Sequence, residues 1–269
     1  MTPSPILRVD RLARDYGSFR ALDDITFDVA EGEFFTIVGP SGAGKTTLLR
    51  CLAGLLEPTS GSIEYKGRVV SGVPREFAVV LQDYSRSLLP WFSVEKNVAL
   101  PLRAHGVAKP DIAARTTQAL ADVGLESAAR KHPGELSGGM QQRVAIARAI
   151  AYRPEVLVMD EPFASVDAQT RADLEDLVLK LREEFGMTVV FVTHDVDESV
   201  YLSDRVAVVS KSPSRITKVV DIDLPRGRDQ IATKELTRFS RLRSEVFAEI
   251  RNRVRDVDAT EPTNPEYVI

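Results

Sequence analysis

The sequence predicts an α/β fold with a parallel core sheet, an antiparallel β subdomain, an inserted helical subdomain and a C-terminal amphipathic helix. Nearly continuous apolar runs of strand length alternate with helical patterns, which is typical of a parallel sheet covered by helices on both faces. From about residue 87 to residue 151 the pattern is almost entirely helical, and this stretch is predicted to be inserted into the α/β core.

The predicted strands fall into an early and a late group. Polar interruptions in the first strands suit a sheet that has one face toward solvent. In chain order, the strands are predicted at Ile6–Val9, Ile25–Val29, Phe34–Val38, Ser62–Tyr65, Phe77–Leu81, Glu155–Met159, Thr188–Thr193 and Val206–Ser210.

The predicted helices lie between and after these strands. The first begins in the glycine-rich segment after Phe34–Val38 and is expected to continue through Leu56. Asp111–Val123 and Met140–Ile150 are the clearest helices of the insertion. A further helix lies between two of the late strands, and Gly186 stands where its C-terminal cap belongs.

The C-terminal region is predicted to contain one more helix. After Pro225, residues 226–229 are expected to be a linker, and the last dozen residues are expected to be a loose tail. Apolar residues at helical spacing predict the amphipathic helix between them. These residues are Leu236, Phe239, Leu242, Val246, Phe247 and Ile250.

Composition restricts the class of protein. The formal net charge of −4 gives no general reason to expect nucleic-acid binding, because such proteins are usually basic. The single cysteine, Cys51, excludes a disulfide within the chain, and its leucine-rich surroundings predict burial. No signal peptide precedes the first strand, and no window approaches the ~18 apolar residues of a membrane-spanning helix. We therefore expect a cytosolic protein that reaches a membrane only through partners.

The segment Gly39–Thr46 matches the P-loop pattern and stands between a predicted strand and a predicted helix. Its glycines let backbone N–H groups turn inward around phosphate oxygens, and the positive end of the following helix favours an anion. Lys45 is expected to neutralise the β- and γ-phosphates, and the Thr46 hydroxyl to bind Mg²⁺. The residues assigned to the nucleotide here are Gly39, Pro40, Ser41, Gly42, Ala43, Gly44, Lys45, Thr46 and Thr47.

The apolar strand Glu155–Met159 ends in two adjacent carboxylates, Asp160 and Glu161. Open α/β sheets place ligands at the carboxyl ends of their strands, and these acids fall there. In a chain with a P-loop this pattern predicts a Walker B motif, with Asp160 on Mg²⁺ and Glu161 as the general base for the attacking water. A solvated strand end is the alternative interpretation.

The segment Leu136–Arg143 reads Leu-Ser-Gly-Gly-Met-Gln-Gln-Arg. Its glycines permit close approach to phosphate at a helix N-terminus, although a simple N-cap serine would explain the local conformation. In a chain that also has a P-loop and Asp160-Glu161, this segment resembles the signature of the ABC ATPases. The resemblance implies that Ser137, Gly138 and Gly139 cap the ATP that a second subunit holds.

The resemblance assigns roles to four further residues, which occur in the family's order along the chain. Gln82 matches the Q-loop glutamine, which reaches Mg²⁺ and the attacking water. His194 matches the switch histidine, which contacts the γ-phosphate. Tyr16 matches the aromatic residue that stacks on adenine, and Asp167 fits the D-loop that crosses the dimer interface.

Residues from about 5 to 225 resemble an ABC ATPase domain, and residues 226–269 then form the linker, helix and tail. Two segments, Leu88–Trp91 (Leu-Leu-Pro-Trp) and Asp197–Ser199 (Asp-Glu-Ser), are similar to the nitrate/sulfonate/taurine importer group. Trp91 and Phe92 are expected either in the core of the helical insertion or in a socket for a membrane subunit.

Three residues depart from the usual family pattern. Met140 replaces a commoner glutamine in the signature, whereas Ala164 and Ser165 replace a glycine and an alanine in the D-loop. The change in the D-loop falls in the segment that is expected to cross the dimer interface. None of the three residues is assigned to phosphate, metal or water.

The resemblance implies ATP and Mg²⁺ as cofactors and a second, identical ATPase subunit as a partner. Two membrane-spanning permease subunits are expected to contact the segment Gln82–Phe92, and an extracytoplasmic substrate-binding protein to act indirectly, with no nucleic acid involved. The chain is then the ATP-hydrolysing, energy-coupling subunit of a small-anion importer, at the cytoplasmic face of the membrane. The alternatives are an ABC ATPase of another transporter, for export or a different cargo, and a soluble ABC ATPase outside transport.

Overall fold

The computed structural model describes residues 5–83 and 87–258, and within them the strands form two sheets. The first sheet contains β1 (Leu7–Tyr16), β2 (Phe19–Val29), β4 (Ser60–Tyr65) and β5 (Arg68–Val69). It is antiparallel throughout, in the order β2–β1–β4–β5. The predicted antiparallel β subdomain is therefore confirmed.

The second sheet contains the other described strands, in the spatial order β10–β9–β3–β8–β7–β6. Each neighbouring pair is parallel except β10 with β9. The strands are β3 (Phe34–Val38), β6 (Phe77–Val80), β7 (Val156–Asp160), β8 (Thr188–Thr193), β9 (Arg205–Val209) and β10 (Ile216–Asp221). Every residue of β3, β7 and β8 is buried, as expected for a parallel sheet covered on both faces.

The helix α1 (Lys45–Leu52) follows β3 and packs between the two sheets through Leu48, Leu49 and Leu52. Cys51 is buried beside these leucines, as its surroundings predict, and burial raises the pKa of its thiol to about 11. One face of the second, mostly parallel sheet packs against α1, and its other face packs against most of the remaining helices. This sheet therefore divides the hydrophobic core into two layers.

The helix α1 ends earlier than predicted, at Leu52 rather than Leu56. Gly54 has a φ of 69°, and a Cβ added there would lie 2.0 Å from the carbonyl oxygen of Gly72. The chain therefore leaves the helix at this close approach. The hairpin of β1 and β2 is longer than predicted, because its ladder continues to the pair Tyr16 and Phe19.

The helical insertion consists of α2 (Val94–Ala104), α3 (Lys109–Asp122) and α4 (Gly138–Ile150), with short 3-10 turns at Glu126–Ala128 and Pro133–Glu135. It lies between β6 and β7 in the chain, and these two strands pair directly in the sheet. The stretch is therefore an insertion between neighbouring strands. The helix α2 lies within the stretch predicted to be helical, although its bounds are not predicted and its interior Pro101 is unusual for a helix. The strand β10 is not predicted.

Two helices flank β8. The first, α5 (Ala168–Phe185), ends at Gly186, which has a φ of 63° and is the predicted C-terminal cap. The second, α6 (Val196–Leu202), follows β8 and is missing from the sequence prediction because it is only two turns long. Tyr201, in α6, is among the largest fully buried side chains of the described residues.

The C-terminal region folds back on the core as α7 (Ala232–Glu235) and α8 (Thr237–Asp258), and α8 packs against α6, β9 and β10. Phe239, Leu242 and Val246 are buried, as the helical pattern predicts. Phe247, which the pattern places with them, is instead exposed. The predicted loose tail lies outside the described residues from residue 259 onward.

The predicted linker at residues 226–229 is held against the core. The Arg228 guanidinium donates hydrogen bonds to the carbonyl oxygens of Tyr201 and Ser203, at the end of α6. Across residues 5–83 and 87–258, no helix is long and apolar enough to cross a membrane.

Burial of Glu198 in α6 predicts how the free energy of unfolding depends on pH. Burial raises the pKa of this carboxyl from 4.5 to about 7, so the folded state keeps its proton after the unfolded state has lost it. The Glu198 contribution to stability therefore falls as pH rises from about 4.5 to about 7, by up to about 3 kcal/mol.

We expect Glu198→Gln to gain stability relative to the wild type over this pH range and to keep a constant advantage above it. Urea unfolding at a series of pH values measures the difference. The same substitution at the exposed Glu235 is the control and should give no such trend. A Glu198→Gln difference independent of pH would contradict the assignment.

Candidate functional site

The P-loop connects β3 to α1, and its glycines satisfy two different requirements. Gly42 and Gly44 have φ values of 77° and 71°, in the left-handed region that favours glycine. Gly39 allows a close approach instead, because a Cβ added there would lie 2.6 Å from the Val209 side chain. The segment Gly39–Gly44 can therefore adopt the tight loop that the pattern predicts.

Lys45, the first residue of α1, lies across this loop. Its Nζ donates hydrogen bonds to the carbonyl oxygens of Gly39 at 3.0 Å and Pro40 at 3.1 Å. Burial lowers the pKa of Lys45, and the charge of Glu161, 3.7 Å away, opposes that effect. The ammonium group is thus held at the centre of the loop beside a carboxylate.

Asp160 ends the buried strand β7 and faces the first turn of α1. The Thr46 hydroxyl donates a hydrogen bond to Asp160 Oδ1 at 3.3 Å, and Asp160 is almost fully buried. Burial raises the pKa of Asp160, whereas the hydrogen bond from Thr46 lowers it. Thr47, the next residue of α1, is half-buried.

Three side chains converge on the Glu161 carboxylate. His194 Nδ1 is 3.0 Å from Glu161 Oε2, Gln82 Nε2 donates to the same oxygen at 3.3 Å, and Lys45 approaches the other oxygen. The backbone of Glu161 has a φ of 42°, and its N–H donates to the carbonyl oxygen of Val192 in β8. A non-glycine residue in this conformation at a polar cluster is typical of a functional site.

Sheet topology explains the convergence. The strands β3, β8, β7 and β6 are consecutive parallel neighbours, so their carboxyl ends lie at one edge of the sheet. The P-loop, His194, Glu161 and Gln82 follow these strands in turn. The structure therefore brings together the residues that sequence analysis assigned to phosphate, metal and water.

Tyr16 lies outside this cluster, at the tip of the β1–β2 hairpin. Its ring is exposed, and the Arg14 guanidinium carbon lies 4.9 Å from the ring centroid. The hairpin adjoins the P-loop, because a Cβ added to Gly44 would lie 3.1 Å from the Leu22 side chain. Tyr16 is therefore on the P-loop side of the molecule with its ring accessible.

The segment Ser137–Gly139 begins α4 in the helical insertion and is largely exposed. The Ser137 hydroxyl accepts a hydrogen bond from the N–H of Met140, which is the N-cap geometry. Among the hydrogen bonds of the described residues, none joins this segment to the P-loop of its own chain. These three residues are not brought to the Glu161 cluster within one chain.

The signature and the D-loop meet at Thr170. A Cβ added to Gly139 would lie 2.3 Å from Thr170 Cγ2, so only glycine fits here without a shift. Thr170 also donates through its hydroxyl and its N–H to Asp167, which caps α5. The glycine requirement of the signature is thus set partly by packing against α5.

Ser212 is a contact of the P-loop that sequence analysis did not identify. It lies in the loop after β9, and its hydroxyl donates a hydrogen bond to the carbonyl oxygen of Gly42 at 2.8 Å. No pattern in the sequence connects the two residues, since the contact depends on the pairing of β9 with β3.

Comparison with known proteins gives a match to the family model described as ABC transporter over residues 22–164. The uncharacterized ABC transporter ATP-binding protein MJ0412 of Methanocaldococcus jannaschii is 47% identical over 234 residues, 86% of this chain and 87% of that protein. The nitrate transport protein NasD of Klebsiella oxytoca is 39% identical over 251 residues, 90% and 95% of the two chains. The spermidine/putrescine import ATP-binding protein PotA of Pseudomonas aeruginosa is 44% identical over 228 residues, 84% of this chain and 61% of PotA.

Two solved structures share the fold. CbiO1 of Clostridium perfringens, described as part of the ABC transporter complex CbiONQ, is 28% identical with a TM-score of 0.75 over 96% of both chains. The ATP-binding cassette MJ0796, a dimer in a post-hydrolysis state bound to ADP and Pi, is 29% identical with a TM-score of 0.70. That match covers 80% of this chain and 98% of the other. The chain therefore belongs to the ABC transporter family and is one of its ATP-hydrolysing subunits.

Proposed function

We propose that this chain is the ATP-hydrolysing, energy-coupling subunit of an importer for a small anion of the nitrate type. The observation that carries the proposal is the convergence of Lys45, Gln82 and His194 on Glu161 at the carboxyl edge of the sheet. The similarity to NasD over nearly the full length of both chains supports the cargo class.

Glu161 is proposed as the general base. Its carboxylate takes the proton of the attacking water as the oxygen forms a bond to the γ-phosphorus and the bond to the leaving ADP breaks. Gln82 and His194 already contact this carboxylate, so a water beside it would lie within reach of both side chains. Phosphoryl transfer depends mainly on such positioning and on charge stabilisation.

The nucleotide is proposed to lie along the P-loop. Backbone N–H groups of Gly39–Gly44 surround the phosphates, and Lys45 neutralises the β/γ charge that builds up as ADP leaves. His194 contacts the γ-phosphate from the neighbouring strand. Tyr16, exposed at the adjoining hairpin tip, stacks on the adenine ring.

Mg²⁺ fits the donors beside the P-loop. The Thr46 hydroxyl and the Asp160 carboxylate are hard oxygen ligands 3.3 Å apart at the end of the loop, and Gln82 is a third candidate. The described residues contain no group of three or more His, Cys, Asp or Glu side chains that could hold a metal alone. This suits Mg²⁺, which is usually bound by few carboxylates together with substrate phosphates, whose charge it neutralises.

The complete site is proposed to form between two copies of the chain. Ser137 and Gly138 are exposed at the N-terminus of α4, which favours an anion, and Gly139 beside them is half-buried. Within residues 5–83 and 87–258, no hydrogen bond joins this segment to the P-loop of its own chain. In a symmetric dimer this segment of one copy closes over the ATP of the other. The dimeric MJ0796 structure with ADP and Pi supports this arrangement.

The permease is proposed to dock beside the Q-loop, which places the chain at the cytoplasmic face of the membrane. Trp91 is 69% exposed, so it belongs to the surface rather than to the core of the helical insertion. A cavity of about 730 Å³ opens between α2, which begins three residues after Trp91, and α3, with Glu95, Ala99 and Thr116 in its lining. Tyr84–Arg86, within the same predicted contact region, lie outside the described residues.

A polyamine importer is the second candidate, and the similarity to PotA favours it. Purification of the tagged chain from solubilised membranes, with mass spectrometry of what accompanies it, tests both candidates. A polytopic membrane protein in equal amount supports transport, and uptake of nitrate or of spermidine by that complex then separates the cargo classes. Recovery only from the soluble fraction would contradict the importer proposal.

Glu161→Gln is expected to bind ATP and to lower the hydrolysis rate by about 10²–10⁴-fold, because the amide cannot accept the proton of water. The trapped ATP should also tighten dimerisation, which analytical ultracentrifugation measures. Glu155→Gln, at the residue just before the strand β7, is the matched control. Full turnover by Glu161→Gln would remove the general-base assignment.

Ser137→Arg is expected to abolish hydrolysis while leaving ATP binding by the monomer intact, because the bulky cation disables the composite site that its own signature segment completes. Mixing this variant with Lys45→Ala should restore part of the activity, because the mixed dimer contains one intact pair of P-loop and signature. Gln118→Arg, on the surface of the same insertion, is the control. Undiminished turnover by Ser137→Arg, or no recovery on mixing, would contradict the shared site.

Trp91→Ala is expected to weaken permease binding roughly 30-fold, because truncating a tryptophan that becomes buried at the centre of an interface typically costs about 2 kcal/mol. Co-purification and uptake should fall, while the ATPase rate of the isolated chain is unchanged. Trp91→Phe should keep most of the binding, and Phe247→Ala, on α8, should keep all of it. Normal co-purification of Trp91→Ala would place the permease elsewhere.

A further inference from the structure

His194 is held in place by the junction between β8 and α6, here named the switch turn. The switch turn comprises residues 193–198, from the last residue of β8 to the first turn of α6. The buried Thr193 hydroxyl donates to Glu198 Oε2 at 2.6 Å and accepts a hydrogen bond from the N–H of Asp195. Asp195 Oδ1 in turn accepts from the N–H groups of Asp197 and Glu198. His194 itself is more than half exposed, so the conformation of this turn sets its position.

Arg171, from α5, binds the switch turn from outside. Its guanidinium lies 3.4 Å from Asp195 Oδ2 and 3.6 Å from Glu198 Oε1. Its Nε is buried and, among the described residues, has no hydrogen-bond partner. Arg171 therefore stabilises the turn chiefly by its charge, which it shares between two carboxylates.

A third carboxylate, Glu175, lies one helical turn after Arg171 on α5, at the spacing that lets two side chains meet. Glu175 is buried, and burial raises the pKa of its carboxyl. Two groups from the C-terminal region offset the free-energy cost of burying this charged carboxylate. Gln230 donates to Glu175 Oε2 at 2.9 Å, and Lys234 Nζ lies 3.7 Å from the same oxygen. The charge of Arg171 also acts on Glu175 and lowers its pKa, so without Lys234 the Arg171 guanidinium is the cation left to offset the buried carboxylate.

The C-terminal groups are held firmly in this position. Gln230 also donates to the carbonyl oxygen of Ala172 and to Asp176, and its own oxygen accepts from Lys234. Lys234 Nζ further lies 4.8 Å from the ring centroid of the buried Tyr201. The segment that contains Gln230 and Lys234 is therefore fixed to α5 and α6 by several contacts.

We propose that Arg171 is a positioning residue for His194, and that Gln230 and Lys234 keep it in that role by satisfying Glu175. Removal of the two C-terminal groups draws Arg171 toward Glu175 and releases the switch turn. The C-terminal segment thereby controls the rate of ATP hydrolysis without touching the nucleotide. The inference rests on the proposed role of His194 in turnover.

The test uses the full-length chain and steady-state ATPase kinetics with Mg²⁺ and ATP. Gln230→Ala/Lys234→Ala is expected to lower kcat about 5- to 10-fold and to change ATP affinity less than about twofold. Adding Glu175→Gln to this double variant should restore kcat, because it removes the competitor for Arg171. Arg241→Ala, which removes a positive charge from the exposed face of α8, is the control and should leave kcat unchanged.

Equal kcat values for the double variant and the wild type would overturn the proposal, and so would a failure of Glu175→Gln to restore kcat in a folded protein. If thermal unfolding shows that the double variant is not folded, Lys234→Gln replaces it, with the same expected direction and rescue. A wild type without Mg²⁺-dependent hydrolysis would instead contradict the proposed function. The two failures are therefore distinguishable.

Discussion

The parallel pairing of β3, β8, β7 and β6 is the constraint on which the rest of the site depends. Each strand is short and apolar, and each ends in polar or glycine-rich chain that cannot enter the core. Because parallel neighbours end at the same edge, groups distant in sequence meet within hydrogen-bond distance. Glu161 and His194, which follow the neighbouring strands β7 and β8, lie 3.0 Å apart as a result.

Burial and neighbouring polar groups act in opposite directions on the charged side chains at that edge. Lys45 and Asp160 are both nearly fully buried, and burial favours the neutral form of each. It lowers the pKa of Lys45 and raises the pKa of Asp160. Their proximity to Glu161 and Thr46 limits the cost of that burial. An anion with its own cation would enter a site that already holds both signs of charge in fixed positions.

A second layer of polar groups connects this edge to the C-terminal region. Thr193 donates to Glu198, which lies 3.6 Å from Arg171. One helical turn after Arg171, Glu175 accepts a hydrogen bond from Gln230. Buried carboxylates need such partners, because an uncompensated charge in the core is costly. The C-terminal segment that carries Gln230 and α7 therefore belongs to the architecture of the site, although it lies far from the P-loop in sequence.

Sequence by itself determined the elements whose information is local. The apolar runs located β3, β7 and β8, the glycine pattern located the P-loop, and the family motifs named Gln82 and His194. The sequence did not predict α6 or β10, and its pattern extended α1 to Leu56, because short elements and helix ends depend on their neighbours.

Tertiary structure alone decided which groups touch. The gap that only Gly139 fits is set by Thr170, the P-loop contact of Ser212 by the pairing of β9 with β3, and the exposure of Trp91 and Phe247 by the packing of helices. A periodic pattern states which face of an element is apolar, but it does not state what covers that face. Contacts between distant segments follow from the spatial order of the strands, which no local pattern encodes.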